Sequence, residues 1–102
     1  MDSVVTDVEM QAFADLCTDY FFEEMLPVLI DRHKTRGKNY LDYLPEEYFG
    51  NVMDCARRVL TMTAAGAEPD HPKLKDADVD GANYCLLQGL KHQHEAEKLP
   101  AE

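Results

Sequence analysis

The sequence predicts an all-α protein, a small bundle of three main helices completed by oligomerisation. Three observations lead there. Apolar residues recur at three- and four-residue intervals, no alternating β-branched run argues for a strand, and glycine and proline gather at two joints. With 102 residues and no internal repeat or interdomain linker, the chain reads as one domain, 1–102, with helices at roughly 6–36, 45–65 and 76–97. A hydrophobic share of 45% is ordinary for a folded protein. A core this small leaves long apolar faces uncovered, which favours a homo-oligomer.

The first helix opens on Thr6. Glu9 three residues later completes a capping box, and Val5 with Met10 suits the accompanying hydrophobic staple. Val8, Phe13, Leu16, Cys17, Tyr20, Phe21, Met25, Val28 and Leu29 follow at helical spacing. Pro27 removes a backbone donor, so it kinks or divides this helix. Arg32, His33, Lys34 and Arg36 lie at its end before Gly37, where cations meet the negative end of the dipole and glycine permits a left-handed turn.

After a joint over 38–44, Pro45 suits the first turn of a second helix, with Glu46 and Glu47 at its positive end. Phe49, Val52, Met53, Ala56, Val59, Leu60 and Thr63 line its apolar face as far as Gly66. Pro69 and Pro72 mark 67–75 as an ordered, irregular loop. The third helix is expected to start near Asp76 or Asp78 and run to about Glu97, with Val79, Leu86, Leu87 and Leu90 as its apolar stripe. The tail, 99–102, is expected to fray.

Twenty acidic residues against ten basic ones give a net charge of −10, which repels a bare phosphate backbone. Direct nucleic-acid binding is therefore not expected. Such a charge serves solubility, or it mimics nucleic acid on a partner's basic surface. Cys17, Cys55 and Cys85 are odd in number and show no CxxC spacing, which speaks against disulfides and structural zinc. The N-terminal MDSVVTDVE has no signal-type apolar core and no stretch is long enough to span a membrane, so a cytoplasmic location is the expectation.

Four constellations could carry chemistry. Asp76, Asp80 and Asn83 are spaced i, i+4, i+7, on the arc of Leu87 and Leu90. Carboxylates aligned with an apolar stripe call for a partner or a metal, and oxygen donors suit Mg2+ or Mn2+; as a plain alternative, acids decorate a helix N-terminus. Glu47, Asn51, Asp54 and Arg58 form a polar stripe opposite the second helix's apolar one, which reads first as a solvated face. Arg32, His33, Lys34, Arg36 and Lys38 could hold a nucleotide's phosphates, although charge compensation at a helix end is the simpler account. His92 and His94 stand at no helical ligand spacing, so zinc is not expected.

The segment Asp76-Ala-Asp-Val-Asp80-Gly-Ala-Asn83-Tyr84 resembles the D-x-x-x-D-x-x-N-Y segment of phage and bacterial MazG-like proteins, members of the all-α nucleotide pyrophosphatase superfamily. Arg36-Gly37 is similar to that family's Tyr-Gly joint. Asn51 to Arg58 resembles its helix with an E-x-x-x-K-x-x-R pattern, and the likeness spans roughly 31–90. It implies an oligomeric helical bundle that binds magnesium through acids on two helices. It also implies hydrolysis of nucleoside triphosphates to monophosphate and pyrophosphate, with metal-bound water as attacking group. Asp76, Asp80, Asp54 and Glu47 are then the metal-ligand candidates. Arg36, Lys38, Arg58 and Asn83 are the substrate-binding candidates. Asn51 stands where the pattern has glutamate and Cys55 where it has lysine, which weakens half of the metal site. The expectation is a nucleotide-handling protein: a Mg2+-dependent pyrophosphohydrolase or a non-catalytic relative. The alternative is a small acidic inhibitor of phage type that occupies a partner's basic surface.

Overall fold

The computed structural model describes residues 4–99, and among them there are helices and connecting turns but no strand. Residues 100–102 of the tail expected to fray lie outside the described residues. The elements in order are α1 (Asp7–Tyr20), a π-helical turn (Phe21–Met25), α2 (Leu26–Arg36), a 3-10 turn (Gly37–Leu41), α3 (Pro45–Ala64) and α4 (Pro72–Glu97).

The first predicted helix is α1, the π turn and α2 joined end to end. Both arms of the capping box form: Glu9 N–H donates to Thr6 Oγ1 at 3.1 Å, and Thr6 N–H donates to Glu9 Oε2 at 3.2 Å. The staple adds little, because Val5 and Met10 both stay exposed. The division at Pro27 takes a specific form. Leu26 N–H donates five residues back to Phe21 O, so the register slips by one residue just before the proline that has no N–H to give. Gly37 ends α2 with φ at +55°, a positive value that favours glycine, although its ψ of −131° is not that of the left-handed helical turn expected there. The 3-10 turn that follows is tied down from α3, whose Tyr48 hydroxyl donates to Tyr40 O. Lys91 of α4 donates to Tyr43 O just beyond.

At the start of α3, Glu47 Oε1 accepts from Leu44 N–H at 3.1 Å, half of a capping box completed without a hydroxyl. The third predicted helix begins earlier than Asp76. Pro72 occupies the first turn of α4, and His71 Nδ1 accepts from Lys73 N–H at 3.1 Å as its cap. The irregular stretch is therefore limited to 65–71, and the second proline starts a helix rather than prolonging a loop.

α3 and α4 pack along their lengths. Tyr48 and Cys55 of α3 and Leu74, Ala77 and Val79 of α4 are the buried apolar residues, and Asn83 of α4 is buried as well. Val79 and Asn83 lie on the side of α4 turned toward α2 and the π turn. Gly81 lets the two axes approach: a Cβ there would stand 3.3 Å from Cys55 Cβ. On its other side α4 reaches the π turn, where Asn83 Nδ2 donates to Met25 O at 3.3 Å.

Two apolar faces are not where the periodicity puts them. On α3 the buried line runs Tyr48, Cys55 with half-buried Val52, Val59 and Met62, while Phe49, Met53 and Leu60 face outward. At 100° per residue, the true core face is turned by roughly 80° from the predicted one, toward the stripe read as solvated. On α4 Val79 is buried and Leu86 and Leu87 are half-buried, but Leu90 is exposed. α1 buries no residue at all. No helix is long and apolar enough to cross a membrane among the described residues.

Candidate functional site

Turning the core face of α3 toward its polar stripe brings Arg58 to the edge of the α3–α4 contact instead of open solvent. There it meets Asp80, the neighbour of Gly81 on α4, and Arg32 comes in from α2. Arg32 Nη2 stands 2.7 Å from Asp80 Oδ1, and Arg58 Nη2 stands 3.8 Å from Asp80 Oδ2. One carboxylate thus links three helices. Its side chain keeps only 19% of its surface exposed, so the pairing is shielded more than an ordinary surface bridge.

Arg58 is held from its own helix as well. Nη2 donates to Cys55 Sγ at 3.1 Å, and Nε lies 3.5 Å from Asp54 Oδ2. The hydrogen bond to Cys55, with the Asp54 and Asp80 charges behind it, pushes the guanidinium further toward its charged form. Across the groove Lys75 pairs with Glu24, and that bond raises the lysine above its usual range. Together Glu24, Asp31, Arg32, Arg58, Asp76 and Asp80 line an open groove of about 550 Å³ between α2, α3 and α4. Its volume is that of a small-molecule site.

Arg32 also lines a second, much smaller cavity of about 50 Å³ with Arg36, Tyr40, Tyr43, Asn83 and Tyr84. It has room for a water or two rather than a nucleobase. Asn83, 1% exposed, reaches Met25 O through Nδ2, while its Oδ1 has no hydrogen-bond partner among the described residues.

The structure brings together three of the eight site residues named from the sequence: Asp76, Asp80 and Arg58 share the groove. Asp54 is adjacent, turned to Arg58. Asn83 and Arg36 belong to the small cavity behind Arg32. Glu47 caps the start of α3, about three turns from Arg58, and Lys38 is exposed in the 3-10 turn; neither lines the groove. The carboxylates that face Asp76 and Asp80 come from Glu24 and Asp31 instead. Their i, i+7 spacing with Val28 between was a legible signal, hidden by the acidity of the whole N-terminal half. Arg32 was legible only as one of five cations at a helix end.

For Mg2+ or Mn2+ the donor chemistry is suitable, but the arrangement is not. Arg32 and Arg58 engage both oxygens of Asp80, Lys75 engages Glu24, and no three His, Cys, Asp or Glu side chains among the described residues are grouped to hold a metal ion. Compared with protein-family models, with curated proteins and with solved structures, the chain matches none.

Proposed function

We propose that this protein handles a nucleotide, held by its phosphates in the groove between α2, α3 and α4. One observation carries the reading. In a chain of net charge −10, two guanidinium groups from different helices converge on one partly buried carboxylate at the wall of an open groove. Guanidinium groups match phosphate oxygens, and here each of the two directs one nitrogen at Asp80. Phosphate binding then means displacing that carboxylate, with Lys75 as a third cation at the rim. The likeness of Asp76–Tyr84 to the MazG-like segment supports the same ligand class. With Asp80 and Glu24 paired as described, Arg32, Arg58 and Lys75 are the groups that hold the phosphates.

The test is thermal stability of the protein with each canonical nucleoside mono-, di- and triphosphate, with and without Mg2+ or Mn2+, followed by chromatography of the mixtures. A ligand that binds the folded state alone raises the melting temperature by mass action. The expected result is a rise that grows with phosphate number and disappears in the Arg32→Ala, Arg58→Ala double variant. Metal-dependent release of pyrophosphate would add hydrolysis to binding. No stabilisation by any nucleotide at millimolar concentration would overturn the reading and favour an acidic module that docks on a basic protein surface.

A further inference from the structure

The chain exposes 7982 Å². A compact monomer of 11.6 kDa is expected to expose about 5,800 Å², so roughly 2,000 Å² is in excess. The shape agrees: the radius of gyration is 17.0 Å, where a compact domain of this length has about 13 Å. Two helix faces stand out among the exposed apolar residues. α1 stands off the body with Val8, Phe13, Leu16 and Tyr20 along one side, Phe13 and Leu16 each 68% exposed. On the body, Phe49, Met53 and Leu60 form the outward stripe of α3, with exposures of 67%, 45% and 69%.

We propose that a second copy of this chain covers both, in a two-fold dimer where α1 of each protomer lies along the outward stripe of its partner's α3. Four features select that occupant. The lengths match: Val8 to Tyr20 spans about 18 Å of helix and Phe49 to Leu60 about 17 Å. The pairing is reciprocal, as a two-fold contact requires, because each protomer owns one stripe of each kind. An excess of roughly 2,000 Å² per protomer falls in the size class of obligate homodimers. Charge is complementary too: α1 carries Asp15 and Asp19 and no cation, while Arg57, flanking the α3 stripe, makes no ion pair among the described residues. An acidic helix without a single lysine or arginine is poorly made for an anionic lipid surface.

The experiment is light scattering on the full chain at tens of micromolar, with Leu16→Lys and Met53→Glu measured separately and then mixed. Both residues are exposed within one protomer, so neither change disturbs the core, and circular dichroism checks that helix content is kept. The wild type is expected at twice 11.6 kDa or a multiple of it. Each variant alone is expected to fall to one chain. Mixing them restores the dimer, since the introduced lysine of one copy then faces the introduced glutamate of the other while the reverse contact keeps its native pair. A monomeric wild type overturns the proposal. So does a dimer indifferent to either substitution, or a pair of monomeric variants that fails to reassociate on mixing.

Discussion

Asp80→Asn separates what the carboxylate does for the fold from what it does for a ligand. Asparagine keeps the size and one acceptor oxygen, removes the charge and puts an NH2 donor in place of the second acceptor. Exposed pairs contribute about 0.2–1 kcal/mol, and breaking a buried pair costs about 3–5 kcal/mol. Asp80 is 19% exposed and its partners Arg32 and Arg58 are 32% and 44% exposed, which places the bridge between those limits. Discounted for that solvent access, the loss is about 1–2 kcal/mol, with the 2.7 Å contact to Arg32 carrying most of it. For a chain of this length that is a fall in melting temperature of roughly 5–15 °C, followed by circular dichroism at fixed protein concentration. The ligand effect has the opposite sign. If phosphate competes with Asp80 for Arg32 and Arg58, removing the competitor tightens triphosphate binding by about 1 kcal/mol, roughly fivefold, in calorimetric titration. An unchanged melting temperature would show that the bridge adds nothing to stability. Lost rather than strengthened nucleotide binding would refute the competition and favour Asp80 as a metal ligand, the role the MazG-like resemblance implies.

Further expectations concern the core. Tyr48→Phe strands the Tyr40 carbonyl and is expected to cost about 1–2 kcal/mol in urea unfolding. Burial, then Tyr43, Tyr40 and Glu47, push the Tyr48 hydroxyl up to about 12 from 10.0. Its folded-state pKa is raised, so its contribution is complete below pH 10 and is lost as pH climbs toward 12; the stability of the wild type should fall through that window more steeply than that of Tyr48→Phe. Gly81→Val forces a branched side chain into the place where even a Cβ stands 3.3 Å from Cys55 Cβ, and should lower stability by about 1–3 kcal/mol. A neutral Gly81→Val would mean that α3 and α4 are not closely apposed there.

How far the fold was legible depended on whether a signal was local. Thr6 with Glu9, Gly37 with positive φ, and Pro45 at the head of α3 need only their own neighbours, and each does what its residue type dictates. The start of α4 failed for the same reason. Pro72 belongs equally to a loop and to a first helical turn, and the cap that decides between them is the Nδ1 of His71, an unusual capping group. The face of α3 was harder. Phe49, Met53 and Leu60 are as apolar as Val52, Cys55 and Val59, and periodicity sums them into one broad arc without telling which half meets α4. Gly81 decides it: only the Cys55 side can use the close approach a glycine offers.

The same ambiguity explains what was missed at the site. Reading the arc as one core face made Arg58 look solvated, and an arginine on a solvated face calls for no partner on another helix. Once the core turns toward it, Arg58 and Asp80 lie at one edge of the α3–α4 contact, and Arg32 closes the bridge from α2. The wider apolar arc of α3 then has a second half left over. A helix that needed only α4 would bury one stripe and could be polar elsewhere. Placing Phe49, Met53 and Leu60 on the outside makes physical sense when something else covers them, and α1, which buries none of its apolar residues in its own protomer, is the element that has the matching need. Under the proposed dimer the outward half of the α3 arc and the unburied apolar side of α1 have a single cause, a sequence patterned for two interfaces and read as though it had one.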